Sequence, residues 1–299
     1  MEKRDWTGVF TAITTPFDPD GSVDEEFLAR HVEWLLDHGC TGIVPLGSLG
    51  EGATLTFDEK VRILEVCKEV TADRVPLVAG LSGLSTDYCV ALAEAAVGAG
   101  CDGLMVLPPY VHRGDDRETL AHFSAVIEAT SLSCMLYNNP IAYGIELTAE
   151  LTSRLAEQHE NVHALKDSGG DVRRLTEIRE TLGDRLALFA GLDDMVMETT
   201  LMGGDGWVAG MVNALPGESV RLFELARDGK VKEAWELYEW FLPILRLDTV
   251  PKFVQLIKLV QAEVGMGEET VRPPRLPLEG TEREEALKLI RSRLSRAER

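Results

Sequence analysis

Residues 41–70 of the chain read "TGIVPLGSLGEGATLTFDEKVRILEVCKEV" and contain one complete unit of the fold. This stretch begins with the apolar run "TGIVPLG" (41–47), passes through a glycine-containing turn, and ends with "FDEKVRILEVCKEV" (57–70), whose apolar residues recur at helical spacing. A short apolar run bounded by turn residues is typical of a buried strand, and a 3.6-residue period indicates an amphipathic helix. One strand followed by one covering helix is the repeating unit of a parallel sheet, because parallel strands need a crossover between them.

The same unit recurs along the chain. The first strand is predicted within "GVFTAITTPF" (8–17), and Ser22 and Asp24 mark the start of the helix after it. Further strands are predicted at "VPLVAGL" (75–81), "DGLMVLPP" (102–109), "SCMLYNNP" (133–140), "VHALKDS" (162–168), "LALFAGL" (186–192) and "GWVAGM" (206–211). Eight such units predict an α/β fold, a closed (β/α)8 TIM barrel. A doubly wound sheet is the alternative, but no glycine fingerprint follows the first strand.

The strand signals stop after Pro216, and only helical patterns follow. The first of them, "SVRLFELARDG" (219–229), is expected to be the eighth helix of the barrel. Two more helical stretches follow, and a last helix is predicted near 282–296. We therefore expect two domains, a barrel with the catalytic site over residues 1–229 and a C-terminal helical domain over residues 230–299.

Composition narrows the class of protein. The 299 residues are 45% hydrophobic and carry 30 basic against 50 acidic side chains, a net charge of −20. This charge argues against nucleic acid and anionic membranes as partners. No run reaches the roughly 18 apolar residues of a membrane span, and the N-terminus lacks the apolar core of a signal peptide. Five widely spaced cysteines indicate a reducing compartment, so we expect a cytoplasmic protein.

Chemistry in a (β/α)8 barrel is built from the carboxyl ends of the strands and the loops after them. Lys166 is the one lysine at such an end in this chain, and Tyr137 ends the neighbouring strand. The other strand ends carry Thr14 and Thr15, the loop from Gly47 to Glu51, Pro109 and Tyr110, Asn138, Asp167 and Ser168, Gly191, Asp193 and Asp194, and Ala209 and Gly210. Lys166 is the unusual member, because it follows a run that should be buried.

A lysine in a barrel mouth is desolvated, and desolvation favours its neutral amine. A neutral amine can attack a 2-oxo acid, and the resulting imine draws electrons from the neighbouring carbon. Tyr137 is placed to move protons, and the "GSLGE" loop (47–51) offers a hydroxyl and backbone N–H groups to a carboxylate. Ordinary alternatives exist: a lysine that extends to solvent, a core tyrosine and a common turn. A non-catalytic ligand-binding barrel is the competing function.

The chain resembles the dihydrodipicolinate synthase / N-acetylneuraminate lyase family of class I aldolases. The resemblance rests on five motifs: the opening "GVFTAITTPF" (8–17), "GSLGE" (47–51), "YNNP" (137–140), the pair "KD" (166–167) and "GLDD" (191–194). It covers nearly the whole chain. It implies a (β/α)8 barrel with a C-terminal helical part, usually assembled as a tetramer, here expected to be a homotetramer built as a dimer of dimers.

The resemblance also implies roles. Lys166 corresponds to the residue that forms the Schiff base, and Tyr137 to the proton shuttle. Ser48 and the backbone N–H of Leu49 correspond to the groups that hold the substrate carboxylate. The remaining residues expected to bind substrate are Gly47, Tyr110, Ser168, Gly191, Asp193 and Asp194. We expect no cofactor and no metal, since the six histidines show no ligand spacing. A chelator-sensitive activity would point to a metal-dependent aldolase instead.

The departures from the family pattern narrow the activity. Dihydrodipicolinate synthases carry an arginine where this chain has Ala142, and a second tyrosine where Val111 follows Tyr110. In the "GSLGE" loop (47–51), Leu49 stands where the family usually has a second hydroxyl residue. These differences argue against lysine biosynthesis, and "DSGGD" (167–171) argues against neuraminate lyase.

What remains are members that act on a short 2-oxo acid or its cyclic imine. We favour a dehydratase or deaminase that gives 2,5-dioxopentanoate, similar to 1-pyrroline-4-hydroxy-2-carboxylate deaminase. A 2-keto-3-deoxy-L-arabonate dehydratase or another 2-keto-3-deoxy sugar acid dehydratase, an aldolase that releases pyruvate, and a dihydrodipicolinate synthase-like protein of other activity are the alternatives. Elimination and retro-aldol cleavage differ only in the bond aligned with the imine, and the sequence leaves that choice open.

Overall fold

The computed structural model describes residues 1–297 and confirms the predicted α/β barrel. Eight parallel strands run in the order β2-β1-β8-β7-β6-β5-β4-β3. Their bounds are β1 Gly8–Ala12, β2 Gly42–Val44, β3 Val78–Leu81, β4 Gly103–Val106, β5 Ser133–Asn138, β6 Val162–Asp167, β7 Ala187–Ala190 and β8 Gly206–Ala209. The ring closes between β2 and β3, where the Ile43 N–H donates to the Pro76 carbonyl at 3.0 Å.

The helices alternate with the strands and carry the start signals seen in the sequence. They are α1 Glu25–Asp37, α2 Phe57–Thr71, α3 Thr86–Gly98, α4 Asp116–Glu128, α5 Pro140–Tyr143, α6 Ala149–Gln158, α7 Arg173–Leu182, α8 Val196–Leu201, α9 Pro216–Arg227, α10 Val231–Leu245, α11 Phe253–Glu263 and α12 Gly280–Ala297. Asp24 caps α1 by accepting from the Phe27 N–H at 2.8 Å. Thr56 and Glu59 form a capping box on α2, which fixes where the loop after β2 ends.

Aromatic side chains fill the amino-terminal end of the barrel. Phe10 and Phe189 meet edge to face with ring centroids 5.3 Å apart, and Trp6 stacks on Phe10 at 5.6 Å. Gly206 makes room for this packing, since a Cβ there would lie 2.3 Å from Phe189. The packed end leaves the opposite rim, where the strands finish, as the open end of the barrel.

The C-terminal helices pack on the barrel as predicted, with α9 as its eighth helix. Trp240 on α10 donates to the Arg293 carbonyl on α12 at 2.9 Å, so these two helices hold each other. The boundary between residues 229 and 230 stays a proposed one. Within residues 1–297, no helix has both the length and the apolar character needed to cross a membrane.

One buried ion pair ties α11 to the loop after β2. Lys258 Nζ lies 2.7 Å from Glu51 Oε1, and the two side chains are 3% and 0% exposed. The ammonium also donates to the carbonyls of Thr15 (2.8 Å) and Thr270 (2.7 Å), and the Arg272 N–H donates to Glu51 Oε2 at 3.0 Å. Every strong donor and acceptor is therefore used, which is the condition for burying two charges. Burial lowers the pKa of Lys258, and the Glu51 carboxylate opposes that shift.

We predict that Lys258→Met lowers the free energy of unfolding by about 3–5 kcal/mol, because it removes the cation nearest to the buried Glu51 carboxylate and leaves Arg275, 3.7 Å away, in its place. The double variant Glu51→Gln/Lys258→Met should regain part of that loss, since it removes the stranded charge. Urea unfolding followed by circular dichroism measures both.

Lys252→Met is the matched control on the same part of the chain. Lys252 pairs with Glu282, but both side chains are 50% exposed, and exposed pairs contribute about 0–1 kcal/mol. A Lys258→Met variant no less stable than Lys252→Met would show that the buried pair does not hold α11 to the barrel.

Candidate active site

Lys166 lies at the carboxyl end of β6, where the strand enters the barrel mouth. It is 6% exposed, and its Nζ lies 4.4 Å from the centroid of the Tyr137 ring. The two residues are direct neighbours in the register of β5 and β6. No residue within 1–297 accepts a hydrogen bond from the amine. The sequence therefore placed the lysine and the tyrosine together correctly, and the amine has its donors free.

The Tyr137 hydroxyl is held by two donors. Asn139 Nδ2 donates to it at 2.9 Å, and Ser168 Oγ lies 3.4 Å away on the other side. Ser168 is fully buried, and a Cβ on Gly191 would lie 2.2 Å from its Oγ. Gly191 is thus needed for the close packing of β7 against Ser168. Two donors aimed at the phenol oxygen fix the position of the Tyr137 hydroxyl, which suits a group that must move a proton.

Tyr143 belongs to this site, although we did not single it out from the sequence. Its hydroxyl makes a short hydrogen bond with Ser48 Oγ, and its ring stacks on Tyr110 at 5.3 Å. Its ring also meets Tyr137 edge-on at 6.0 Å. Burial, and then the nearby Tyr137 and Tyr110, raise the pKa of Tyr143 well above its usual range. The Tyr143 hydroxyl therefore keeps its proton at neutral pH.

A sequence signal for Tyr143 does exist. Asn139 caps α5 by accepting from the Ala142 N–H at 2.9 Å, Pro140 is its first residue, and Gly144 ends it with φ +70°. Asparagine, proline and a following glycine are the start and stop signals of a helix. This single turn carries Tyr143 back over the mouth, beside Tyr137.

The loop after β2 is compact and strained. Leu46 and Glu51 have left-handed backbones with φ of 69° and 54°, and a Cβ on Gly52 would lie 2.1 Å from the Leu46 carbonyl oxygen. The Glu51 N–H donates to the Ser48 carbonyl at 3.2 Å. No acceptor within residues 1–297 takes the N–H groups of Ser48 and Leu49. These free N–H groups and the Ser48 hydroxyl, next to Gly47, are donors of the kind that bind anions. Binding of a substrate carboxylate here stays a prediction.

The "GLDD" carboxylates point to different partners. Asp193 is fully buried and accepts from Trp207 Nε1 at 3.0 Å, the Gly210 N–H at 2.9 Å and the Met211 N–H at 2.6 Å. Burial nevertheless raises the pKa of Asp193 to about 6. The Asp194 carboxylate lies 3.9 Å from Arg246, a residue of the C-terminal part. Asp193 thus braces the loops after β7 and β8, and contact of either carboxylate with substrate remains a prediction.

The geometry gathers most of the predicted residues into two adjacent groups. In the first group, Tyr137 contacts the Lys166 amine with its ring and Ser168 with its hydroxyl. In the second group, Ser48 and Tyr110 meet at Tyr143. Among residues 1–297, no group of three or more histidine, cysteine, aspartate or glutamate side chains is arranged to hold a metal ion.

Comparison with known proteins gives the family. The pattern of the dihydrodipicolinate synthetase family matches residues 5–293. The 4-hydroxy-tetrahydrodipicolinate synthase of Bartonella bacilliformis is 34% identical over 277 residues, which is 93% of this chain and 94% of that protein. The enzyme of the same name from Agrobacterium fabrum is also 34% identical, over 89% of this chain and 91% of its own.

Solved structures agree. Dihydrodipicolinate synthase DapA-2 of Bacillus anthracis superimposes with a TM-score of 0.92 at 31% identity, covering 98% of this chain and 99% of its own. YagE, a prophage protein of the dihydrodipicolinic acid synthase family from E. coli K12 solved with pyruvate, gives a TM-score of 0.91 at 29% identity over 97% and 99% of the two chains. The chain therefore belongs to the dihydrodipicolinate synthetase family, whose members are class I lyases.

Proposed function

We propose that this lyase acts on a short 2-oxo acid with a hydroxyl group at C4, or on the corresponding cyclic imine, and eliminates water or ammonia to give 2,5-dioxopentanoate. The closest named activity is that of a 1-pyrroline-4-hydroxy-2-carboxylate deaminase. The observation that carries this proposal is the Lys166 amine, buried, without a hydrogen-bond acceptor within residues 1–297, and 4.4 Å above the Tyr137 ring.

In this account Lys166 is the nucleophile. Its amine, once deprotonated, attacks C2 of the substrate. The Tyr137 hydroxyl gives its proton to the carbonyl oxygen, which leaves as water, so that a protonated imine and a Tyr137 phenolate remain. With a cyclic imine the same attack opens the ring by displacing the ring nitrogen from C2. The cationic nitrogen then makes the C3 hydrogens acidic, and Tyr137, whose oxygen already accepts from Asn139, takes one of them.

The substrate carboxylate is proposed to bind at the loop after β2. Ser48 Oγ and the free N–H of Leu49 supply donors, and the Lys258–Glu51 pair holds the loop against α11. YagE, 29% identical to this chain, binds the 2-oxo acid pyruvate. A donor set for one carboxylate beside an amine is what such a substrate requires.

Synthase activity is the second candidate, favoured by the names of the curated relatives at 34% identity. Against it, Ala142 offers no cation for a second carboxylate. The exposed Arg113 is nearby, however, since a Cβ on Gly144 would lie 2.4 Å from its Nε. The two candidates therefore differ in whether Arg113 binds the carboxylate of a second substrate. The products of the reaction decide between them.

We also propose a cytoplasmic homotetramer built as a dimer of dimers. Three large apolar side chains lie exposed after neighbouring strands: Leu84 (79%), Val111 (88%) and Ile141 (75%). Val111 is β-branched and has φ 70°, a strained conformation that packing can stabilise. A monomeric dihydrodipicolinate synthase variant, 25% identical, shows that assembly varies among relatives.

Sedimentation equilibrium tests the tetramer, and a monomer at micromolar concentration would contradict it.

We predict that borohydride reduction in the presence of pyruvate adds one covalent adduct to the chain, at Lys166, because reduction makes an imine permanent. Intact-mass and peptide mass spectrometry locate it. Lys60 provides the matched control: it is 4% exposed, and its Nζ lies 4.8 Å from the Tyr88 ring. Lys60→Met should still be trapped and Lys166→Ala should not. An adduct that persists in Lys166→Ala would remove Lys166 from its role.

We predict that 2,5-dioxopentanoate is the product from 1-pyrroline-4-hydroxy-2-carboxylate or from a 2-keto-3-deoxy-pentonate, detected with a coupled dehydrogenase. Tyr137→Phe should lower kcat by about 10²- to 10⁴-fold, since it removes the proton carrier, and a chelator should leave the rate unchanged. Release of pyruvate from 2-keto-3-deoxy sugar acids would identify an aldolase. Condensation of pyruvate with an acidic aldehyde would identify a synthase.

A further inference from the structure

A carboxyl group from the C-terminal part of the chain reaches the barrel mouth. Asp248 lies in the short 3-10 helix Arg246–Thr249, between α10 and α11. Its Oδ2 is 3.5 Å from the backbone nitrogen of Asp193, after β7. On the β8 side, a Cβ on Gly210 would fall 2.7 Å from Asp248 Oδ1. Asp248 therefore sits over the ends of β7 and β8, next to the strand that carries Lys166.

Lys166 lies on β6 and pairs in register with Phe189 of β7, the strand that Asp193 follows. The positive charge of Lys166 lowers the pKa of both Asp193 and Asp248 and so opposes the effect of their burial. The amine is 6% exposed and, within residues 1–297, has no hydrogen-bond acceptor of its own. A buried amine without an acceptor is a polar group that a bound ligand can satisfy.

Of the two carboxyl groups, only Asp248 is free to contact a ligand. The oxygens of Asp193 are taken by three donors, at Trp207, Gly210 and Met211. Asp248 has one long contact with the Asp193 N–H, and within the described residues 1–297 no cationic side chain lies within 4.0 Å of it. The mouth therefore holds one braced carboxyl group and one unpaired carboxyl group.

The surroundings of the unpaired group favour its protonated form, since two other carboxyl groups and no cation within 4.0 Å lie near it among residues 1–297. Burial raises the pKa of Asp248 well above its usual range, the neighbouring Asp193 and Asp194 raise it further, and Lys166 opposes them. A neutral carboxyl group is a hydrogen-bond and proton donor, a role that an ionised one cannot fill.

We propose that Asp248 is the general acid that protonates the leaving C4 oxygen of the substrate, and this rests on the proposed elimination at Lys166. After the C3 proton is removed, the enamine nitrogen lone pair re-forms the C2–N double bond. The C2–C3 electron pair moves to form the C3–C4 double bond, and the C4–O bond breaks with its electrons on oxygen. That oxygen takes the Asp248 proton and leaves as water, and Asp248 remains as a carboxylate to be reprotonated from solvent.

A general acid at Asp248 bears on which bond breaks, C4–O in elimination or C3–C4 in retro-aldol cleavage, a choice that the sequence left open. Retro-aldol cleavage of the C3–C4 bond requires the C4 hydroxyl to lose its proton, which needs a base. Elimination requires the same hydroxyl to gain a proton, which needs an acid. A neutral carboxyl group at this end of the mouth favours elimination. Gly210 is needed for this arrangement, because any side chain there would displace Asp248.

The test compares two substrates that differ only in the leaving group, 4-hydroxy-2-oxopentanoate and 4-chloro-2-oxopentanoate. Chloride leaves without a proton, whereas hydroxide does not. For Asp248→Asn we expect kcat on the hydroxy acid to fall by about 100-fold or more, with the chloro acid converted at close to the wild-type rate. Absorbance of the conjugated 2-oxopent-3-enoate product measures both. Asp248→Glu should regain part of the lost rate, and Asp37→Asn, on the outer face of α1, should change neither.

Two further readouts separate this inference from the proposed function. Borohydride trapping of pyruvate and exchange of its methyl hydrogens in deuterated water report the imine and the enamine, and Asp248→Asn should retain both. Wild-type protein that forms no adduct overturns the proposed function itself. Asp248→Asn at the wild-type rate on the hydroxy acid, or an equal loss on both substrates, overturns the role of Asp248. Loss of trapping in both Asp248→Asn and Asp248→Ser would make Asp248 a structural residue and overturn it as well.

Discussion

The closure of eight parallel strands into a ring is the constraint on which the candidate site depends. Because every strand runs in the same direction, all eight carboxyl ends must meet at one rim. The ring is completed where β2 approaches β3 through the Ile43 N–H and the Pro76 carbonyl, 3.0 Å apart. Aromatic packing fills the opposite end around Phe10 and Phe189. The register of β5 on β6 then brings Tyr137 beside Lys166 without any further device.

The C-terminal helices complete the mouth that the barrel leaves open. Lys258 holds the loop after β2 in place from one side, through its buried pair with Glu51. Asp248 approaches from the side of β7 and β8, against Asp193 and Gly210. The C-terminal part is therefore connected to the candidate site at two places. We interpret it as a contributor to that site as well as a packing unit. In the proposed mechanism, one connection supports the loop that binds the substrate carboxylate, and the other supplies an acid at the far end of a short substrate.

The strand and helix pattern predicted the fold, because burial on both faces makes parallel strands apolar and helices amphipathic. The boundaries were less predictable. The run 41–47 forms only the three-residue strand Gly42–Val44, since Pro45 has no N–H and Leu46 turns to φ 69°. The predicted start of α1 at Asp24 is confirmed by its cap.

Within the site, Lys166 and Tyr137 could be predicted because a charge and a phenol stood at the ends of apolar strands. Tyr143 could not, because a single helical turn decides where it points. Lys258 and Asp248 were out of reach for another reason. Their partners lie 207 and 55 residues away in the chain, and no local pattern records such pairs. Periodicity reports which face of an element is buried, but it does not report which residue of another element meets it.

We propose that one buried amine and one anion-binding loop hold a 2-oxo acid in a single orientation. A crystal structure of the protein reduced with borohydride in the presence of pyruvate would show that orientation. We expect continuous electron density from Lys166 Nζ to C2, with the carboxylate on Ser48 Oγ and the Leu49 N–H and the former methyl carbon facing Tyr137. Density on another lysine, or a carboxylate turned away from the loop after β2, would contradict it.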